Sequence, residues 1–387
     1  MIKKEILNNQ ALTSSSVFFD DVNRDIRRYA DEEGNLKGEY IKKPKGVEIL
    51  ENGDVIFRFI APNAKEVEVA GIGGTMGNEH YKMEKGENGV WSVKVSGIGA
   101  GFHYHDYYVD GNMVTSELAP YGYGCFRIIN YFDMPNNDSA FYLMNDVPHG
   151  TIRMDYYKSE ITGKIRSCFV YTPPSYETSL DKNYPVLYLQ HGGGESESGW
   201  IWQGKVNYIL DNLIASGEAE EMIVVMNNGY AFTDAENENT SMGSIGDVIV
   251  NDCVPFIDGK YRTIANKHGR AVAGLSMGGF QAQQTAMRHL DVIGNLGMLS
   301  ATLLEKYAPD DYSDLFQNPT KFNEELDLFY VAAGDKETGL IENTFALIDD
   351  LRKKGAKIVT YVTPGYHEWQ VWRYSIKEFL KLVFKNL

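Results

Sequence analysis

The hexapeptide Gly274-Leu275-Ser276-Met277-Gly278-Gly279 carries the clearest chemistry in the chain. A serine with glycine two positions away on either side has the spacing of a nucleophile on a sharp strand-to-helix turn. The run from Arg270 to Leu275 predicts the strand, and Phe280 to His289 predicts the helix. A side chain at Gly274 or Gly278 would strike the neighbouring strand or helix. The turn lifts the hydroxyl out at the carboxyl edge of the sheet. It also aims a helix N-terminus at the negative charge that develops when the serine attacks a carbonyl.

Such a serine needs a base. Of the eight histidines, two follow Ser276 in the chain. His289 lies on the helix that Ser276 opens, too near in sequence to fold back onto it. His367 sits in Thr363-Pro364-Gly365-Tyr366-His367-Glu368-Trp369, just beyond the last predicted strand, where the base of a serine–acid–histidine order belongs. The acid should follow the preceding strand, in Ala333-Gly334-Asp335-Lys336-Glu337-Thr338. Two carboxylates compete there. Glu337, three residues past the glycine, is the first choice; Asp335 is the alternative, and it could instead brace the loop backbone. The acid would orient His367 and stabilise its imidazolium. His191-Gly192-Gly193-Gly194 follows a strand ending at Gln190. Its Gly193 N–H, with that of Met277, would form an oxyanion hole. Four pieces distant in sequence thus fall into one order.

The elements that must hold these pieces are β strands alternating with helices. Pro185 to Gln190, Met222 to Met226, Arg270 to Leu275, Asn295 to Leu299, Leu328 to Ala333 and Lys357 to Val362 read as buried strands. Val206, Ile209, Leu210, Leu213 and Ile214 recur at helical spacing and stop before Gly217, and Ile341 to Lys353 is also helical. This alternation implies a mostly parallel sheet with helices on both faces. A hairpin, Thr151 to Tyr157 and Lys164 to Thr172, precedes it. The region from Val47 to Leu143 is different. Val55, Phe57 and Phe59 share one face at period two, Glu66 to Ala70 and Trp91 to Val95 alternate, and Asp110-Gly111-Asn112 marks a hairpin turn. Short strands with glycine-rich turns suggest a β-sandwich. The expected organisation is a lead-in segment over residues 1–45, a sandwich over 46–146 and the catalytic domain over 147–387.

With those motifs in place, the stretch from about Pro148 onward resembles the feruloyl and acetyl-xylan esterases of carbohydrate esterase family 1. The likeness rests on His191-Gly192-Gly193-Gly194, Gly199-Trp200, the Ser276 hexapeptide and Gly365-Tyr366-His367-Glu368-Trp369. The same superfamily includes enterochelin-type siderophore esterases. Val55 to Ala70, with Ala61-Pro62-Asn63-Ala64 inside it, resembles the early-set or glycogen-binding-like sandwich found ahead of such enzymes. The resemblance implies an α/β-hydrolase fold preceded by a small immunoglobulin-like sandwich. It implies a serine esterase, free of cofactors, acting on ester-decorated xylan oligosaccharides. One departure is that family members usually carry Asp where Glu337 stands. A hydroxycinnamoyl group would stack on aromatic rings. Trp200 and Trp369 are the rings expected to hold it, with Gln203 and Gln281 hydrogen-bonding substrate; plain packing is the alternative, as it is for Trp202 and Trp372. A siderophore esterase would need basic residues for its anionic ligand, and near the site only Lys205, Lys336 and Arg373 offer them. A third reading is a carbohydrate-binding protein with a vestigial hydrolase domain. The sandwich itself is expected to pack on the enzyme or to mediate a homodimer.

Composition narrows the partners. Lys plus Arg number 37 against 53 Asp plus Glu, a net charge of −16, which argues against nucleic acid and anionic membrane surfaces. No stretch approaches the roughly 18 apolar residues of a membrane span. No apolar run follows Lys3-Lys4, so the sequence predicts no signal peptide and a cytoplasmic location. The three cysteines, Cys125, Cys168 and Cys253, form no Cys-x-x-Cys pair, and His103 with His105 lacks a third ligand, so no metal is expected. Asp234 to Glu238 reads as a solvated loop or a lid over the cleft.

Overall fold

Val55 and Phe57 are fully buried while their neighbours are not, the period of two that a half-covered strand requires. The computed structural model describes residues 1, 3, 22–232, 245–303, 313–385 and 387; Asp234 to Glu238 lies outside them. The chain divides into two units, Met1–Met144 and Asn145–Leu387.

In the first unit, β1 (Arg24–Ala30) and β2 (Leu36–Lys42) form an exposed antiparallel hairpin inside the expected lead-in. There follow β3 (Val47–Ile49), β4 (Val55–Ile60), β5 (Val67–Gly71), β6 (His80–Lys82), β7 (Glu84–Lys85), β8 (Val90–Val95), β9 (Gly101–Val109), β10 (Asn112–Val114), β11 (Tyr121–Gly124) and β12 (Arg127–Met134). They form one sheet in the order β3-β4-β8-β7 and a second in the order β11-β12-β9-β5-β6, with β10 on β9. Val55, Phe57, Val67, Val69, Trp91, Tyr107 and Phe132 belong to a single apolar core. Val109 pairs with Asn112 across a two-residue turn. Both turn residues, Asp110 (φ 49°) and Gly111 (φ 81°), are left-handed, as this tightest hairpin demands. His103 and His105 are interior. Among the described residues no group of three His, Cys, Asp or Glu side chains is arranged for a metal.

The second unit is an eight-stranded mixed sheet. It contains β13 (Thr151–Lys158), β14 (Ile165–Thr172), β15 (Val186–Gln190), β16 (Ile223–Asn227), β17 (Arg270–Leu275), β18 (Asn295–Leu299), β19 (Leu328–Gly334) and β20 (Val359–Thr363). Their order is β13-β14-β16-β15-β17-β18-β19-β20, antiparallel up to β16 and parallel from there on. Helices α1 (Val206–Ala215), α2 (Val254–Lys260), α3 (Met277–Arg288), α4 (Thr338–Lys353) and α5 (Trp369–Leu380) pack on the two faces. Strand β15 leads to β16 on one side and its other neighbour, β17, leads to β18 on the opposite side, so the connections diverge between β15 and β17. Loops at the carboxyl ends of two such strands border a crevice. Gln190 pairs with Gly274 in register, which sets His191-Gly192-Gly193-Gly194 beside Ser276. Helix α3 starts three residues earlier than its apolar pattern suggests. Glycines disfavour helix in isolation, but here the strained turn at Ser276 launches the helix directly. No helix among the described residues is long and apolar enough to cross a membrane.

Candidate active site

Ser276 has φ 51° and ψ −119°, a conformation that non-glycine residues rarely adopt. It is held there from both sides: its N–H donates to the Leu299 carbonyl at 2.8 Å, and its carbonyl accepts from Gly279 at 3.0 Å. The flanking glycines are sterically required. A Cβ on Gly274 would lie 2.4 Å from the Gly278 backbone, and one on Gly278 would lie 2.4 Å from the His191 carbonyl oxygen.

Two hydrogen bonds join the three polar residues. Ser276 Oγ donates to His367 Nε2 at 2.9 Å, and His367 Nδ1–H donates to Glu337 Oε1 at 2.5 Å. The other carboxylate oxygen, Oε2, accepts from Ser300 Oγ at 2.8 Å and from the Gly334 N–H at 2.6 Å. Glu337 is therefore buried yet fully partnered, the condition under which a charge is tolerated inside. Asp335 is exposed and accepts the Gly365 N–H at 2.9 Å, bracing the loop that carries His367. The two competing carboxylates thus occupy different positions: one touches the imidazole and the other the backbone beneath it. The His367 ring packs edge-on against Trp372, centroids 5.1 Å apart. Next to it, burial pushes the Glu368 carboxyl up from its ordinary range.

On the facing loop, the Gly192 carbonyl accepts from the Glu195 N–H across a turn whose third residue, Gly194, has φ 78°. The Gly193 and Met277 N–H groups donate to no acceptor among the described residues. A Cβ on Gly192 would be 3.6 Å from Ser276 Cβ, so this turn lies against the serine. Two N–H groups beside a hydroxyl can stabilise an oxyanion.

The four residues expected to touch substrate are interior, and the hydrogen bonds found for them run to the protein itself. Trp200 is 1% exposed and donates Nε1–H to the Gln190 carbonyl at 2.8 Å; Trp369 is 2% exposed and donates to Glu195 Oε1 at 2.9 Å. Their rings meet edge-to-face at 5.3 Å. Gln203 is 1% exposed, with its carbonyl accepting from Arg373. Gln281 Nε2 donates to the Gly229 carbonyl at 2.9 Å. Buried indoles must find hydrogen-bond acceptors, and these found a main-chain carbonyl and a carboxylate. Of the four tryptophans named in the sequence reading, Trp202 alone keeps an exposed face. Sequence reasoning missed Ser300, Tyr230 and the ring of His191. Ser300 (φ 50°) directly follows β18 at the same sheet edge as the serine, and a serine directly past a buried strand is the signal that could have found it. Tyr230 Oη accepts the Gly194 N–H at 2.6 Å.

The chain is similar to known proteins in sequence and in fold. The endo-1,4-beta-xylanase/feruloyl esterase of Xylanibacter ruminicola is 34% identical over 344 residues, spanning 85% of this chain and 44% of that protein. The chain therefore covers less than half the length of that relative. A solved ferulic acid esterase shares 26% identity and superposes with a TM-score of 0.53 over 61% of this chain and 98% of its own. The enterobactin esterase of Shigella flexneri superposes with a TM-score of 0.64 over 88% of this chain and 97% of its own, at 15% identity, a likeness of fold. Residues 44–122 match carbohydrate-binding module 48, the isoamylase N-terminal domain. Since the Esterase family model matches residues 159–382, more than half of the chain, the protein belongs to that family of carboxylic ester hydrolases.

Proposed function

We propose that this esterase is a serine enzyme that releases feruloyl or other hydroxycinnamoyl groups, with acetyl as the smaller alternative, from xylan oligosaccharides. Ser276 Oγ attacks the ester carbonyl while its proton passes to His367 Nε2. Glu337 keeps the ring in the tautomer that can accept that proton and balances the imidazolium. The Gly193 and Met277 N–H groups receive the developing oxyanion. Collapse of the tetrahedral adduct breaks the bond to the sugar oxygen, which takes the proton from His367 and leaves. Water then gives a proton to His367 and attacks the acyl-serine. The acid leaves, and the proton returns to Ser276. Every proton is accounted for by these side chains and water.

The observation that carries the mechanism is the pair of hydrogen bonds through His367, 2.9 Å to Ser276 and 2.5 Å to Glu337. Support for the substrate class comes from the 34% identity to a protein named for xylanase and feruloyl esterase activities. A polyanionic siderophore is disfavoured because Lys205 and Arg373 are buried, which leaves Lys336 as the one exposed cation of the three expected near the site. Initial rates on methyl ferulate and on an acetylated xylo-oligosaccharide, with Ser276→Ala as blank, test the proposal. Ferulate release is the expected result. Acetate release alone would move the substrate to the small acyl group, and no release of either would remove xylan esters from the reading.

A further inference from the structure

The turn facing Ser276 takes its shape from a buried ring. His191 is 1% exposed and makes two hydrogen bonds of 2.8 Å, from Nδ1 to the Gly192 carbonyl oxygen and at Nε2 with the Gly229 N–H. A backbone N–H can only donate and a carbonyl can only accept, so these partners fix one tautomer: Nδ1 carries the proton and Nε2 is bare. Burial holds the ring's pKa below the ordinary imidazole value, which keeps it neutral. Gly229 is gripped from its other side by Gln281, which lies on α3 behind Ser276. The ring therefore ties the loop after β15 to the loop after β16, and through it to the helix of the nucleophile.

Peptide planarity gives this a chemical consequence. The Gly192 carbonyl and the Gly193 N–H belong to one trans peptide and point in opposite directions. Holding the oxygen aims the N–H. A run of three glycines has little stiffness of its own; the Glu195 N–H reaches the Gly192 oxygen only at 3.4 Å, so the ring at 2.8 Å is the closer hold. We propose that His191 is the positioning residue of the oxyanion hole: its neutral ring holds the Gly192–Gly193 peptide so that the Gly193 N–H meets the carbonyl oxygen of a bound ester. The proposal rests on the reading of Ser276 as nucleophile.

Hydrolysis of p-nitrophenyl acetate tests it, because that ester needs neither a sugar nor a hydroxycinnamoyl pocket. His191→Leu is expected to lower kcat roughly a hundredfold, the scale of one lost oxyanion donor, with KM within about twofold. Affinity for phenylboronic acid, which forms a tetrahedral adduct on a serine, should fall in the same proportion. His191→Asn can still donate to the Gly192 carbonyl and should recover about tenfold of the loss in kcat, whereas His191→Gln, reaching toward Gly229, should not. A kcat for folded His191→Leu within about threefold of the parent would overturn the proposal. So would Asn and Gln variants of equal kcat, and this pair decides the matter if the Leu variant fails to fold. Hydrolysis that survives Ser276→Ala would overturn the nucleophile and this proposal together. Loss there, with kcat indifferent to His191, would overturn this proposal alone.

Discussion

His105 in the sandwich unit and His191 in the catalytic unit are both sealed from solvent, at 0% and 1% exposure. His105 lies among Phe57, Tyr107 and Phe132, ring centroids 5.3 to 5.6 Å away. Neither of its ring nitrogens has a hydrogen-bond partner among the described residues. His191 uses both nitrogens on backbone groups. Burial lowers the pKa of each ring, for His105 to about 3. Burial thus decides that a histidine is neutral; its partners decide whether the neutral ring does anything. The sandwich employs an imidazole as a flat aromatic filler. The catalytic unit also partners its buried carboxylates: Asp211 accepts from the Gly150 N–H and Tyr171 Oη, and Asp155 accepts from Lys260 and Tyr261.

The sharpest way to break this contrast is at the site itself. Ser276→Ala should reduce kcat by about 10⁴-fold or more while the circular dichroism spectrum stays that of the parent. Glu337→Gln should cost about 10²- to 10⁴-fold in kcat, because an amide can present an N–H to His367 Nδ1 and select the wrong tautomer. Asp335→Asn keeps an acceptor oxygen for the Gly365 N–H, so its loss should stay below about tenfold. Steady-state rates of the two variants side by side distinguish the acid from the brace, and a reversal of their order would exchange the roles.

The sandwich histidine makes its own prediction, in stability rather than rate. The unfolded ring titrates near 6.5 and the folded ring near about 3. As pH falls from 6.5 toward 3, the unfolded chain takes up a proton that the folded chain refuses. Stability contributed by the neutral ring is present above pH 6.5 and is lost below it, by about 1.4 kcal/mol per pH unit. Urea unfolding of the full chain at pH 7 and 4.5 should therefore show a difference about 2–3 kcal/mol larger for the parent than for His105→Phe. Parallel pH dependences in the two proteins would mean that water or a relaxed core reaches the ring.

The legible part of the site was the local part. The glycine spacing around Ser276, the position of His367 past the last strand and that of Glu337 past Gly334 are all relations within a few residues. They follow from turn geometry at strand ends. Strands β4, β5 and β8 were legible from period two, and β15 to β19 from short apolar runs. The burial of Trp200 and Trp369 was not legible, since it depends on elements that pack from elsewhere in the chain. The work of His191 was hidden for the same reason, because its second partner, Gly229, is 38 residues away. The hairpin β1–β2 was hidden because all of its residues are exposed, which leaves no alternation to read.

The backbone at Ser276 has a consequence that needs no substrate to observe. Its φ of 51° suits glycine and penalises every other residue. Removing the hydroxyl with alanine keeps the penalty; removing the whole side chain relieves it. Ser276→Gly should therefore melt at a higher temperature than Ser276→Ala, by the few degrees that about 1 kcal/mol is worth in a domain of this size. Differential scanning calorimetry of the two inactive proteins would read this directly, and an equal or lower melting temperature for the glycine variant would mean the turn is relaxed. A copy of this chain relieved of the proposed chemistry would gain sturdiness by carrying glycine at position 276.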